Sequence, residues 1–186
     1  WDVEPAPAYY TGGWYGGSKD LLSFAVAGYS QQDGVGTAAR PGNLSIYSAD
    51  FLFEKKFSMG VPTIEGAYYK YNLGALDCGS GEPGAAVCPA GDNIGGQVDG
   101  KAYLLGAGWL LPEKVGYGNF QPFVRYQKYD RTRSATTNKA TDFGVNYIIK
   151  GPNVKLSAVY SKLQDSRIAA PLNDRWQFVL GAQLIY

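Results

Sequence analysis

The residues best suited to chemistry are carboxylates. Asp50 and Glu65 could pair for general acid/base hydrolysis, although solvated wall charges are the commoner use of such groups. Their usual partners are missing. The 186 residues contain no His, so serine and cysteine triads of the usual type have no base and His-based metal sites drop out. Gly34-Val35-Gly36-Thr37-Ala38-Ala39 loosely fits a dinucleotide fingerprint, but Arg40-Pro41-Gly42 follows instead of a helix. Gly16-Gly17-Ser18-Lys19 has phosphate-loop letters in the wrong order. Tyr126-Gln127-Lys128-Tyr129 interleaves aromatic and basic residues as a nucleic-acid surface would, yet alternating strand faces explain it better. Lys+Arg is 17 against Asp+Glu 16, a net charge of +1, so no overall field draws nucleic acid or acidic lipid. The expectation is a protein with no enzymatic activity, cofactor, metal or nucleic-acid partner. Cys78 and Cys88 sit in a Gly/Pro-rich stretch and are candidates for a disulfide made in an oxidising compartment, with two unpaired thiols as the alternative.

What would position these side chains is a set of strands. The 15 Tyr, 8 Phe, 4 Trp and 25 Gly favour strands and tight turns. Nothing approaches the roughly 20 consecutive apolar residues of a membrane helix. Period-two alternation predicts nine strands: a weak one around Tyr9–Gly16, then Leu21–Gln31, Ile46–Glu54, Thr63–Tyr71, Lys101–Leu111, Asn119–Tyr129, Asp142–Ile149, Val154–Tyr160 and Arg175–Tyr186. In the last, Trp176, Phe178, Leu180, Ala182, Leu184 and Tyr186 share one face. Short connections (Gly17–Asp20, Lys56–Pro62, Pro112–Gly118, Lys150–Asn153) alternate with long polar ones (Asp33–Asn43, Asn72–Gly100, Arg131–Ala140, Gln164–Asn173). Outer-membrane barrels show this alternation, with the short turns periplasmic, which puts the C-terminus in the periplasm. The fold expected is all-β, an antiparallel transmembrane β-barrel, with residues 1–186 as one barrel domain.

Strand directions place Tyr47, Tyr68, Tyr103, Tyr126, Tyr160 and Trp176 near the outer ends of the apolar faces, and Phe24, Phe53, Trp109, Phe120 and Tyr186 near the inner ends. Two aromatic belts are what membrane interfaces select. From Trp176 to Tyr186 a tilted strand covers roughly 25 Å, the height of an outer-membrane apolar band. If those faces meet lipid, Asp50, Glu54, Glu65, Arg125, Asp142 and Lys155 line the interior, with Lys150 near the periplasmic rim. Inward charge is expected, because Arg or Lys at the lipid-facing midplane costs about 2–4 kcal/mol. These charges read either as a ring that biases ion passage or as wall salt bridges with little effect on it.

Leu111-Pro112-Glu113-Lys114, the run from Gln121-Pro122-Phe123-Val124 through Arg125-Tyr126-Gln127-Lys128, and Asn146-Tyr147 leading into Lys150-Gly151 resemble the C-terminal half of the phosphate- and polyphosphate-selective porin family. The terminal Tyr186 resembles the signal by which barrel-assembly machinery recognises its clients. The resemblance covers roughly the last 90 residues well. It implies a Gram-negative outer membrane, a homotrimer and a barrel of roughly 16 or 18 strands, about twice what this sequence holds, so an N-terminal half is expected to precede it. The family's anion selectivity relies on a dense basic ladder, and the mixed signs here depart from it. The expected function is passive diffusion of small hydrophilic solutes or ions, anions among them. The rival is a structural barrel, a scaffold or sheath for a partner such as an electron-carrying protein. Outer-membrane lipid and lipopolysaccharide are the expected surroundings.

Overall fold

The computed structural model describes residues 1–2, 15–37, 40–73, 93–94, 97–132, 135–151 and 153–185. Its long strands are β1 (Leu21–Thr37), β2 (Arg40–Glu54), β3 (Val61–Asn72), β6 (Gly100–Leu110), β8 (Gly118–Arg131), β9 (Thr137–Lys150), β10 (Val154–Asp165) and β11 (Asp174–Leu184). Three two-residue pieces complete the set: β4 (Asn93–Ile94), β5 (Gln97–Val98) and β7 (Lys114–Val115). β4 and β5 pair with each other alone. The rest form one nine-stranded antiparallel sheet in the order β1-β2-β3-β6-β8-β9-β10-β11, with β7 paired to β8. The sheet is not closed, and β1 and β11 are its edges.

Eight of the nine expected strands are present. Tyr9–Gly16 lies outside the described residues except for Tyr15 and Gly16, which are not in a strand. The expected loop Asp33–Asn43 is largely strand: the hairpin continues through Val35↔Gly42, Gly36↔Pro41 and Thr37↔Arg40. A register break between Gln31 and Val35, with Asp33 at φ 54°, separates this extension from the regular ladder. Backbone pairing persists there without an apolar face to select alternation, so no period marks it in the sequence. The Arg131–Ala140 connection shrinks for the same reason, with β8 running to Arg131 and β9 starting at Thr137.

The packing is inverted relative to a water-soluble sandwich. Phe24 and Leu180 are 72% exposed, while Glu54, Thr63 and Gln121 are fully buried. Burying one Phe or Leu is worth about 1.5–3 kcal/mol in water, so a face this apolar is built for another solvent. The ladder Leu22–Phe53–Ile64–Ala107–Val124–Phe143–Tyr160–Phe178 runs unbroken across the sheet on that face. The opposite face is concave. Its polar groups are buried by curvature, and three small clusters supply the only buried apolar residues among those described, such as Tyr15–Leu21–Leu52 and Val61–Leu110–Ile148.

Aromatic residues on the convex face form two oblique rows. In the row nearer the long loops, Tyr47 is followed one register pair nearer the turns by Tyr68–Tyr103, whose rings lie 5.2 Å apart. Tyr126 and Trp176 come one pair nearer again, and Tyr160 stacks against Trp176 at 4.8 Å. Nearer the turns, Phe24, Phe53, Trp109 and then Phe120–Tyr147 descend in the same sense. Both rows cross the ladder obliquely, as they must when strands tilt against a common axis.

Candidate functional site

The concave face is the candidate site, and its register decides which charges meet. Glu65 of β3 stands opposite Gly106 of β6, Gly106 opposite Arg125 of β8, and Arg125 opposite Asp142 of β9. Gly106 leaves room for the Glu65 carboxylate: a Cβ there would come within 2.7 Å of Glu65 Oε1. The Glu65 side chain therefore lies over β6, toward Arg125. Arg125 Nε and Nη2 donate to Asp142 Oδ2 at 2.9 and 2.8 Å, and Gln127 Nε2 donates to the same oxygen at 3.4 Å. Asp142 is 4% exposed, so it depends on these donors.

Lys155 reaches the same face through the regular alternation of β10, opposite Ile148 and two residues before Ser157, while the register shift displaces Val154, which pairs with Lys150. The Glu65 carboxylate acts electrostatically on Lys155, although β6, β8 and β9 lie between their strands. Only curvature brings them that near. Asp50 points the same way from β2, with no ion-pair partner among the described residues. Lys150 is exposed at the end of β9, beside the turn at Gly151.

Glu54 faces inward but is sealed. Its carboxylate accepts hydrogen bonds from Tyr15 N at 3.0 Å, Gly17 N at 2.7 Å and Thr63 Oγ1 at 2.9 Å. The two amide donors belong to a strap, Tyr15–Gly17, that enters the concave side at the turn end, and the hydroxyl belongs to β3. Tyr15 packs on Leu21 and Leu52, while Gly16 lies beside Leu110, Ile148 and Gly151, on the other side of the groove. Gly16 and Gly17 have φ of 65° and 77°, and a Cβ on Gly17 would lie 2.5 Å from Val61 Cγ2. Both requirements select glycine. The Gly16-Gly17 pair was the signal in the sequence. As letters of a phosphate loop it led nowhere; as two successive left-handed residues it marks this strap.

A second structure not anticipated from the sequence is a neutral ladder on the concave face. Ser157 Oγ donates to Asn146 Oδ1 at 2.7 Å, and Asn146 Nδ2 donates to Gln121 Oε1 at 3.0 Å. These three were legible as members of the polar face, but not as partners, because their pairing depends on the register between β8, β9 and β10.

The ion pairs of the convex face lie at the loop end. Lys128 pairs with Asp130 at 2.6 Å, and Lys162 pairs with Asp174 at 3.3 Å while lying over the Trp176 ring at 5.4 Å. Arg167 forks onto Asp165 through Nε and Nη2 in the adjoining loop. Cys78, Cys88 and Tyr186 lie outside the described residues. No group of three or more His, Cys, Asp or Glu able to hold a metal ion occurs among the described residues.

Neither the curated proteins nor the solved structures give a match to this chain. The model of one family, described as phosphate-selective porin O and P, matches residues 97–186. That stretch runs from β5 to the end of the chain and contains the motifs on which the resemblance was drawn. With their antiparallel strands and outward apolar face, residues 97–186 are similar to the strands of a porin-type outer-membrane channel.

Proposed function

We propose that the chain forms part of the wall of a water-filled pore through which small hydrophilic solutes or ions diffuse passively. The observation that carries this reading is the inversion of the two faces: apolar side chains lie exposed on the convex side and ionisable ones are gathered on the concave side. In lipid the convex face is satisfied, the oblique aromatic rows sit at the two interfaces, and the concave face meets water. Asp50, Glu65, Arg125, Asp142 and Lys155 then line the lumen, with Lys150 at its periplasmic rim and Glu54 holding the strap inside it. The hairpin loops face outward with the lipopolysaccharide, and the C-terminus is periplasmic. A sheet edge cannot stand open in hydrocarbon, where unpaired N–H and C=O groups have no partner. Further strands joining β1 and β11 complete the wall in this reading. Assembly as a homotrimer rests on the family resemblance alone.

Anion preference is the finer part of the proposal. Arg125, Lys155 and Arg175 favour it, whereas Asp50 and Glu65 oppose it, so weak selectivity is expected. Purified protein in a planar bilayer tests the reading. A porin gives discrete ohmic steps and a small reversal potential of anionic sign in a salt gradient. A membrane protein that inserts but gives no steps would leave the scaffold reading standing.

A further inference from the structure

At the loop end of the concave face lies a cavity of about 480 Å³, within the roughly 300–1,000 Å³ that holds small-molecule ligands. Its chemistry differs from that of the charged row below it. Tyr69 and Tyr129 flank the small Ala102, which stands opposite both. One register pair nearer the turns, the wall runs Leu104, Gln127, Ala140, Leu163, Arg175. Leu104, Ala140 and Leu163 make the floor largely apolar around Gln127, with tyrosine rings along one side and a guanidinium at the far end. Arg175 has no hydrogen bond or ion pair among the described residues, while Arg131, over the Tyr129 ring at 5.0 Å, is already tied to Asn138 Oδ1 at 3.0 Å. The cavity's own carboxylate, Asp165, is occupied by Arg167. Of the lining cations, Lys128 is paired with Asp130, which leaves Lys139 and Arg175 without an ion-pair partner among the described residues, and of these two Arg175 is the one on the concave face, beside the apolar floor.

We infer that this cavity is a binding site for small carboxylates with a flat apolar body, held by Arg175 through the carboxylate and by Leu104, Leu163 and the tyrosine rings through the body. The inference rests on the proposed reading of the concave face as open to water. A planar guanidinium fits a carboxylate bidentately, and an aromatic face suits the edge or face of a second ring. Inorganic phosphate suits the cavity less well, because Leu104, Ala140 and Leu163 take up much of the wall and cannot replace its hydration shell.

The test is equilibrium dialysis of the detergent-solubilised full chain with benzoate, acetate and inorganic phosphate. Benzoate is expected to bind saturably, and acetate and phosphate not to saturate over the same range. Arg175→Gln should weaken benzoate at least tenfold, and Leu163→Asn, which keeps the guanidinium, severalfold; far-UV circular dichroism checks that both variants fold. Binding of acetate or phosphate as tight as that of benzoate, or benzoate binding unchanged by Arg175→Gln, overturns the site. Dialysis needs no bilayer, so the two readings fail separately. Absent binding in a protein that conducts removes only this site. Absent conductance in one that binds benzoate removes only passive diffusion.

Discussion

The two flanks of the concave face carry opposite charge. On β2 and β3 the inward ionisable groups among the described side chains include Asp50, Glu54 and Glu65, three carboxylates. On β8 to β11 they are Arg125, Arg131, Lys155 and Arg175 against Asp142 and Asp165, and each of those two carboxylates is bound by an arginine. The basic flank falls inside the stretch that matches the porin family, and the acidic flank falls outside it. The field across the groove is thus made by the two parts of the chain together. In the proposed pore, selectivity judged from the matched part alone would be biased toward anions by the missing acidic flank.

The acidic flank also differs in how its charge is used, and this gives the largest expected effect. Glu54 is held by three donors, two of them backbone amides of the strap. Glu54→Ala leaves those donors buried without an acceptor, at about 1–3 kcal/mol each. Strap release spares the two amides by exposing them, so a net loss of about 3 kcal/mol is expected in urea unfolding. Limited proteolysis should then cut near Tyr15, where the parent protein resists. A variant with unchanged protease resistance would show that the strap is held by Tyr15 packing rather than by the carboxylate.

The basic flank should respond in permeation more than in stability. Arg125→Glu and Lys155→Glu each place a carboxylate in the lumen, and each should move the reversal potential in a salt gradient toward cations. Glu65→Gln should move it the other way, severalfold in permeability ratio, because it removes the acidic partner of the same row. If all three leave the reversal potential unchanged, the concave face is not the conducting surface, and its charges are wall salt bridges.

How much of this was legible follows from the period of a strand. Where one face met the apolar phase, as in Trp176–Phe178–Leu180, alternation located the strand and its outward side. Where neither face did, as in Val35–Gly42, the strand carried no signal and read as a loop. Individual inward residues such as Arg125 and Asp142 could be assigned to a face from the sequence, but their pairing could not, since it depends on which residue of β9 the register sets against β8. The Glu54 strap was hidden for another reason: its contacts join residues almost forty positions apart through backbone amides, which have no letter of their own.

A smaller effect separates the two flanks on their convex sides. The basic flank has Trp176 stacked at 4.8 Å and 12° on Tyr160, with Lys162 Nζ 5.4 Å from the centroid of the Trp176 ring. On the acidic flank Tyr47 has no ring partner among the described residues. A ring pair of this kind adds about 0.5–1.5 kcal/mol beyond the area it covers. Trp176→Leu keeps an apolar side chain toward lipid while removing the stack, so a loss of about 1 kcal/mol is expected in urea unfolding from lipid vesicles. Tyr47→Leu at the same depth in the oblique row should cost less. Equal losses at the two positions would assign the aromatic contribution to the interface itself rather than to ring pairing, and would make the rows a property of depth alone.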